Sequence, residues 1–375
     1  MTVPPEILIS AGEASGDMYA AQLARALHGR TGAHLFGMGG PKMREAGVEI
    51  LADASEIAVV GITEVLHRLP AVWRVWRKLE REALRRKPLL AITVDSPGFN
   101  FGLARRLKKH GTRIVYFISP QIWAWRPRRV RWIQRRFERV LVIFPFEEEI
   151  YRKAGVAVDF VGHPLVDSVR PQMTREQFAA QFGLDAMHPI VTLLPGSRPS
   201  EIRRSMPIIA EACARLQRDR PVQFALAIAP GLDGHIFDAY ERPDLPITLV
   251  TGAAYDALAA ADCAIVSSGT ATVEAALLGA PMVVVYRLSG LTATIARRLV
   301  VTPLFAMVNL ISGRQVVPEL IQDKFTAEAV EVEVRRLLDS SEARERQKRD
   351  LAEVRQKLGA GGAIERAADV IASML

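Results

Sequence analysis

EILISAGEASGDMYAAQLARAL, residues Glu6–Leu27, decides the fold class of this chain. Residues 6–10 are a short run of strand length. The turn Ala-Gly-Glu-Ala-Ser-Gly-Asp (11–17) punctuates it, and apolar residues then recur at helical spacing as far as Leu27. Strand, Gly-containing turn and helix together open a βαβ unit. Further along, AHLFGMGG (33–40), LLAITVDSPGF (89–99), RIVYFIS (113–119) and RVLVIFP (139–145) read as strands, with helical compositions near 67–86 and 101–110. Such alternation implies a mostly parallel sheet with helices on both faces.

The pattern restarts after VGHPLVDSVRP (161–171), a stretch punctuated by Gly162, Pro164 and Pro171. IVTLLPGSRPSEIRR (190–204) is strand, Gly loop and helix start. QFALAIAPG (223–231), ITLVTG (247–252), CAIVSSG (263–269) and MVVVYR (282–287) are further strands, and the chain from Thr326 onward is charged and helical. The expected fold is α/β with two Rossmann-like doubly wound domains, 1–165 and 166–345, and a C-terminal helical segment, 346–375. Ligands of such sheets bind at the carboxyl ends of strands, and a cleft between two such domains is a natural active site.

Composition narrows the class. The 375 residues suit two domains, and 49% apolar with 24% charged residues excludes wholesale disorder. Two cysteines, Cys213 and Cys263, exclude a disulfide scaffold and a multi-cysteine zinc site. No apolar run approaches the ~18–20 residues of a membrane-spanning helix. MTVPPEILIS lacks a charged leader and apolar stretch, so a cytoplasmic protein without a signal peptide is expected.

The net charge of +8 is concentrated. Arg105–Arg139 holds twelve basic residues against Glu138 alone, together with Trp123, Trp125 and Trp132; Arg68–Lys87 holds eight basic and two acidic residues with Trp73 and Trp76. Arg/Trp mixtures suit phospholipid headgroups or nucleic acid, and a solvated basic helix face is the plainer alternative. No helix-turn-helix, zinc-finger or RNA-binding signature supports nucleic acid.

Four loops carry candidate chemistry. In Ser10–Asp17, Gly12 and Gly16 allow close backbone approach, while Glu13 places a carboxylate that opposes simple phosphate binding. The loop is not G-x-G-x-x-G, and a tight turn with Asp17 as a helix-start charge is its structural alternative. Asp95 ends an apolar strand, where a carboxylate can take a proton from a substrate hydroxyl; it is otherwise a turn-initiating Asp before Ser-Pro-Gly. Gly196, Ser197 and Arg198 offer backbone, hydroxyl and guanidinium donors to a diphosphate, without a Walker pattern. Ser268, Gly269 and Thr270 begin a helix whose free N–H groups suit a second anionic group. Glu274, one turn inside, either accepts ribose hydroxyls or faces solvent. The seven histidines are scattered, no H-x-x-x-H or C-x-x-C occurs, and no metal or cofactor is expected. His163 in Gly-His-Pro reads as a hinge residue.

In order along the chain, SAGEASGD (10–17), VDSPGFN (94–100), YFISPQIWAWRPRRV (116–130), VGHPLVD (161–167), LLPGSR (193–198), SSGTATVEAALLGAPMVVVYR (267–287) and NLISGRQ (309–315) resemble the lipid-A-disaccharide synthases. The resemblance implies a GT-B fold whose two domains face a cleft, with the donor nucleotide on the C-terminal half. By analogy within the fold class the terminal helices cross back to the first domain. It implies transfer of 2,3-diacylglucosamine from UDP-2,3-diacylglucosamine to 2,3-diacylglucosamine 1-phosphate, giving a β-1,6-linked disaccharide and UDP. It further implies a Gram-negative source and a site peripheral to the inner membrane.

The family's motif carboxylates match Glu13 and Asp95, its Gly-Ser-Arg arginine Arg198, its nucleotide-side glutamate Glu274 and its late-loop asparagine Asn309. An α-linked donor giving a β product requires inversion by one displacement. Asp95 is the expected base, with Glu13 second or orienting the acceptor. Arg198 and the helix start at Ser268–Thr270 would stabilise departing UDP without metal. Val65, Leu66, Leu69, Val72, Trp73 and Trp76, beside Arg68, Arg74 and Arg77, are the expected acyl-accommodating face toward an anionic inner-membrane surface. Pro70 is expected to break or kink that stretch, and an ordinary buried helix face is the alternative. Nucleic acid is not an expected partner, and a homodimer is admitted. Rival readings are another UDP-sugar enzyme of this fold, either a UDP-N-acetylglucosamine 2-epimerase or the undecaprenyl-lipid N-acetylglucosaminyltransferase, or a non-catalytic UDP-sugar sensor. The lipid-linked transferase has a G-G-T-G-G-H-type first loop that this chain lacks, and a sensor has no need of two carboxylates.

Overall fold

The computed structural model describes residues 4–57, 62–120, 130–218, 220–240, 242, 244–288 and 304–375, with side chains of the Ile62–Arg86 helix from Leu69 onward. The chain divides into one unit of Met1–Pro164 with Gly359–Leu375 and another of Leu165–Leu358.

The first unit is built on β1 (Glu6–Ala11), β2 (His34–Gly39), β3 (Glu49–Asp53), β4 (Leu90–Val94), β5 (Ile114–Phe117), β6 (Arg139–Val142) and β7 (Val158–Phe160). Among the described residues they form one parallel sheet in the order β3-β2-β1-β4-β5-β6-β7. The inner strands β4 and β5 are buried along their whole length, as a parallel sheet covered on both faces requires. Burying each Ile or Leu of such a strand stabilises by roughly 1.5–3 kcal/mol, so these segments commit to the interior. The outer strands β3 and β7 carry Glu49, Asp53 and Asp159 and are only partly covered.

Helices close both faces. Ala14–Thr31 buries Ala20, Ala21, Leu23, Ala24 and Leu27 and ends at Gly32 in a left-handed cap. The C-terminal helix Ala363–Ala372 lies against it, where Arg30 pairs with Glu365 and Asp369. Arg366 Nε also donates to the Val161 carbonyl at 2.9 Å. The Ile62–Arg86 helix runs through Pro70 rather than ending there. The buried stripe Val75, Leu79, Ala83 ties it to the core and offsets the backbone hydrogen bond that Pro70 removes.

The second unit repeats the scheme with β8 (Ile190–Leu194), β9 (Gln223–Ile228), β10 (Ile247–Thr251), β11 (Cys263–Ser267), β12 (Met282–Tyr286) and β13 (Glu319–Ile321). The order is β10-β9-β8-β11-β12-β13, again parallel throughout. The Pro199–Gln217 and Ala327–Asp339 helices pack together, with Ile209, Leu216, Phe224, Phe325 and Val334 fully inside or nearly so. The Ser341–Lys357 helix stays with this unit, where Gln347 Oε1 accepts the Met282 N–H at 2.6 Å. The segment that joins the first unit is therefore shorter than the expected 346–375 and begins at Gly359.

Candidate active site

In the first unit the strand order reverses between β1 and β4, which pair with Ala11 opposite Val94. The chain leaves β1 toward β2 and β4 toward β5, so the two following loops diverge and open a crevice. Glu13 comes from one loop and Asp95 from the other. Glu13 is exposed at the N-cap of the Ala14–Thr31 helix. Asp95 is largely buried. Its carboxyl is pushed up to about 6 by that burial and by the like charge of Glu13, against the lowering effect of the Ser96 N–H.

The Asp95 turn is strained. Asp95 and Ser96 both have φ +46°, in the left-handed region that non-glycine residues avoid. Three buried groups hold it there. Asn100 Nδ2 donates to the carbonyls of Val94 at 3.1 Å and Asp95 at 2.8 Å. The Tyr116 hydroxyl donates to the same Asp95 carbonyl at 2.9 Å. Ser10 Oγ donates to Asn100 Oδ1 at 2.8 Å, linking β1 to the turn. Ser96 Oγ itself is buried without a hydrogen-bond partner among the described residues. It lies so close to Gly12 that a Cβ there would sit 2.7 Å away, which explains a glycine at that position.

Asp17, the expected helix-start charge, works as a staple. Its buried carboxylate accepts the N–H groups of Gly40, Lys42 and Met43 at 2.7, 2.9 and 3.2 Å, capping the Pro41–Glu45 helix.

In the second unit the order reverses between β8 and β11, bringing the Gly-Ser-Arg loop and the Ser-Gly-Thr turn to neighbouring strand ends. Gly196 has φ +132°, and Glu201 folds back over it. Glu201 Oε2 accepts the Ser197 N–H at 3.2 Å, and its other oxygen is 3.4 Å from Arg198 Nη1. The Arg198 side chain is otherwise open, with 68% of its surface exposed. Ser205 Oγ donates to the Pro195 carbonyl at 2.8 Å and fixes the start of the loop. Gly269 is the N-cap of the Thr270–Leu277 helix, which has no side-chain cap. Glu274 is largely buried, which raises its carboxyl, while the Tyr255 hydroxyl donates to it at 3.3 Å and opposes that rise.

Asn309, expected at the nucleotide, is fully buried, with its amide engaged inside its own unit. Nδ2 donates to the Val317 carbonyl at 3.0 Å and to Glu319 Oε1 at 2.7 Å, and Oδ1 accepts the N–H groups of Val316 and Val317. Two donors and two acceptor positions are all it has. It shapes the loop whose Phe305 carbonyl lies 3.4 Å from Ser268 Oγ.

The expected acyl-accommodating face divides. Leu69 and Trp73 are exposed, at 51% and 45%, and the Arg77 guanidinium lies 4.2 Å from the Trp73 ring centre. Val72 and Trp76 turn inward against the core. Trp76 Nε1 donates to the Phe99 carbonyl at 3.2 Å, and its ring packs on Phe99. The side chains of Val65 and Leu66, and all of Trp123 and Trp125, lie outside the described residues. Among the described residues no group of three or more His, Cys, Asp and Glu is placed to hold a metal ion, and no helix is long and apolar enough to cross a membrane.

Two doubly wound parallel sheets, each with polar loops at its reversal point, define the GT-B class of fold. The calicheamicin glycosyltransferase CalG4 shares it with a TM-score of 0.63 at 18% identity, over 100% of this chain and 99% of that one. So does the UDP-N-acetylglucosamine 2-epimerase of Neisseria meningitidis, with a TM-score of 0.62 at 10% identity over 98% of each chain. Sequence separates the members of the class. A family model described as lipid-A-disaccharide synthetase matches residues 7–372. The lipid-A-disaccharide synthase of Geobacter sulfurreducens is 45% identical over 98% of this chain and 97% of its own. That of Myxococcus xanthus is 45% identical over 100% and 99%. The chain belongs to the lipid-A-disaccharide synthase family, and it is a hexosyltransferase rather than an epimerase or a sensor.

Proposed function

We propose that the chain transfers 2,3-diacylglucosamine from its UDP conjugate to 2,3-diacylglucosamine 1-phosphate, with Asp95 as the base. The acceptor 6-hydroxyl oxygen attacks C1 of the donor sugar, and the C1–O bond to the diphosphate breaks. The bonding pair leaves with UDP, the hydroxyl proton passes to Asp95, and the anomeric configuration inverts. The observation that carries this reading is the Asp95 carboxyl at the end of β4, held on a strained turn and raised to about 6. A carboxyl of that pKa is about nine-tenths ionised at pH 7 yet a far better proton acceptor than an exposed aspartate. Glu13 keeps it basic and orients the acceptor.

Gly196, Ser197 and Arg198 hold the donor diphosphate together with the helix start at Ser268–Thr270, and Glu274 meets the ribose. Asn309 supports this set from beneath. A UDP-release assay in mixed micelles, with and without the monosaccharide 1-phosphate, tests the reaction. Release that depends on acceptor and yields a disaccharide supports it. No release from a folded, UDP-binding chain would refute it.

The same reading places the enzyme at an anionic membrane surface, where both acylated substrates reside. Leu69 and Trp73 are exposed beside Arg77, and Trp132 is exposed with Arg136 at 5.2 Å from its ring centre. Arg136 is lowered by burial and by the neighbouring charges of Arg105 and Arg135, so these cations crowd together. Elsewhere in the unit Arg86, Arg106, Arg113 and Arg139 each pair with a carboxylate. Cations left crowded beside exposed tryptophans suit lipid phosphates.

A further inference from the structure

We propose that Tyr116 and Asn100 are positioning residues for Asp95, acting through its main-chain carbonyl rather than on substrate. The inference rests on Asp95 being the base. The Asp95 carbonyl accepts two hydrogen bonds, from Asn100 Nδ2 at 2.8 Å and Tyr116 Oη at 2.9 Å. Both donors are fully buried, so neither reaches a ligand in the crevice. They come from opposite sides of the turn. Asn100 stands in the first turns of the Pro97–Lys109 helix that the turn initiates, and Tyr116 stands on β5.

The brace reaches three neighbouring strands. Ser10 on β1 donates to Asn100 Oδ1, which orients the amide so that Nδ2 faces the carbonyls of β4 and its turn. The Tyr116 ring is clamped by Phe137 at 4.8 Å and by the edge of Phe101 at 6.0 Å between centres. Two consecutive left-handed non-glycine residues persist only when their surroundings overdetermine them. Without the two donors the turn relaxes toward ordinary φ values. The carbonyl and carboxyl of one residue share its Cα, so that relaxation swings the base away from the acceptor. An ordinary helix start would need neither donor, because Ser96 already receives the N–H groups of Phe99 and Asn100.

Tyr116→Phe is the clean probe, because it deletes one donor and keeps the ring. Turnover is measured for the wild type, Tyr116→Phe, Asp95→Asn and the double variant, with melting temperature and UDP affinity as checks on folding. Tyr116→Phe is expected to lower kcat about tenfold, the size of one lost buried hydrogen bond. The KM for donor is expected to stay, and the acid limb of the rate profile to move. In the Asp95→Asn background the same change is expected to cost nothing further, since there is no base left to aim. Asn100→Ala should follow the same pattern with a larger loss, and Ser10→Ala with a smaller one. An equal fold-loss from Tyr116→Phe in both backgrounds, or no loss at all, overturns the positioning role. Wild-type turnover by Asp95→Asn overturns instead the assignment of the base.

Discussion

Asn309 Nδ2 donates to Glu319 Oε1 at 2.7 Å, and Glu319 in turn accepts the N–H groups of Phe305 and Ala306 at 3.1 and 2.8 Å. The pair pins the N-terminus of the Met307–Ser312 helix to β13. Asn309→Ala leaves two N–H groups and a carbonyl without their partner. It should lower the stability of the second unit by roughly 3 kcal/mol or more. Urea unfolding reads this directly. A variant of native stability that has lost UDP affinity would instead assign Asn309 to direct ligand contact.

Asp95 should set both an activity limb and a stability slope. The acid limb of kcat/KM is expected near pH 6, and removing the like charge with Glu13→Gln should move it lower. Stability follows from the same shift. Burial raises the folded carboxyl above its unfolded value, so ionisation disfavours the fold above pH 6, by roughly 3 kcal/mol as an upper bound. That cost fades as pH falls from 6 toward 4. Asp95→Asn should therefore be more stable than wild type at pH 8 and equal to it at pH 4. Parallel stability curves at both pH values would contradict the shift.

Leu69→Glu with Trp73→Glu should abolish flotation with anionic vesicles and leave the melting temperature within a degree or two, because both side chains face outward. Trp76→Ala should do the reverse. It removes a ring packed on Phe99 and destabilises the first unit by about 2–3 kcal/mol. Unchanged flotation by the folded double variant would reject the membrane surface.

Central strands were legible because burial on both faces excludes charged side chains and leaves mostly apolar ones. IVYF and CAIVS announce themselves from composition alone. The edge strands β3, β7 and β13 were not, since Glu49, Asp159 and Glu319 break their apolar pattern where solvent permits it. The same contrast holds in the candidate site. A carboxylate closing an apolar strand, such as Asp95, is visible locally. Asn100 and Tyr116 are invisible as a brace, because the carbonyl they share takes its place only once β1, β4 and β5 have paired. The hydrogen bonds of Asn309 were hidden for a related reason. One asparagine can serve a ligand or a loop, and its loop partners Val317 and Glu319 come beside it only in the folded chain.

Arg198 and Glu201 should have opposite effects on donor affinity. Arg198 is exposed and only loosely engaged by Glu201 at 3.4 Å, so Arg198→Ala should leave stability unchanged. A guanidinium–phosphate hydrogen bond contributes about 1.5–3 kcal/mol, so UDP affinity should fall at least tenfold. Glu201 occupies the Ser197 N–H, a donor in the proposed diphosphate site, and brings a negative charge to the same loop. Glu201→Gln keeps an acceptor for that N–H while removing the charge. It should bind UDP severalfold more tightly, with the gain shrinking in high salt as the repulsion it relieves is screened. Glu201→Ala loses the brace over Gly196 as well, and should bind no better than wild type. Calorimetric titration with UDP separates the three variants. Tenfold weaker binding by Glu201→Gln would instead make the carboxylate itself a ligand to the nucleotide.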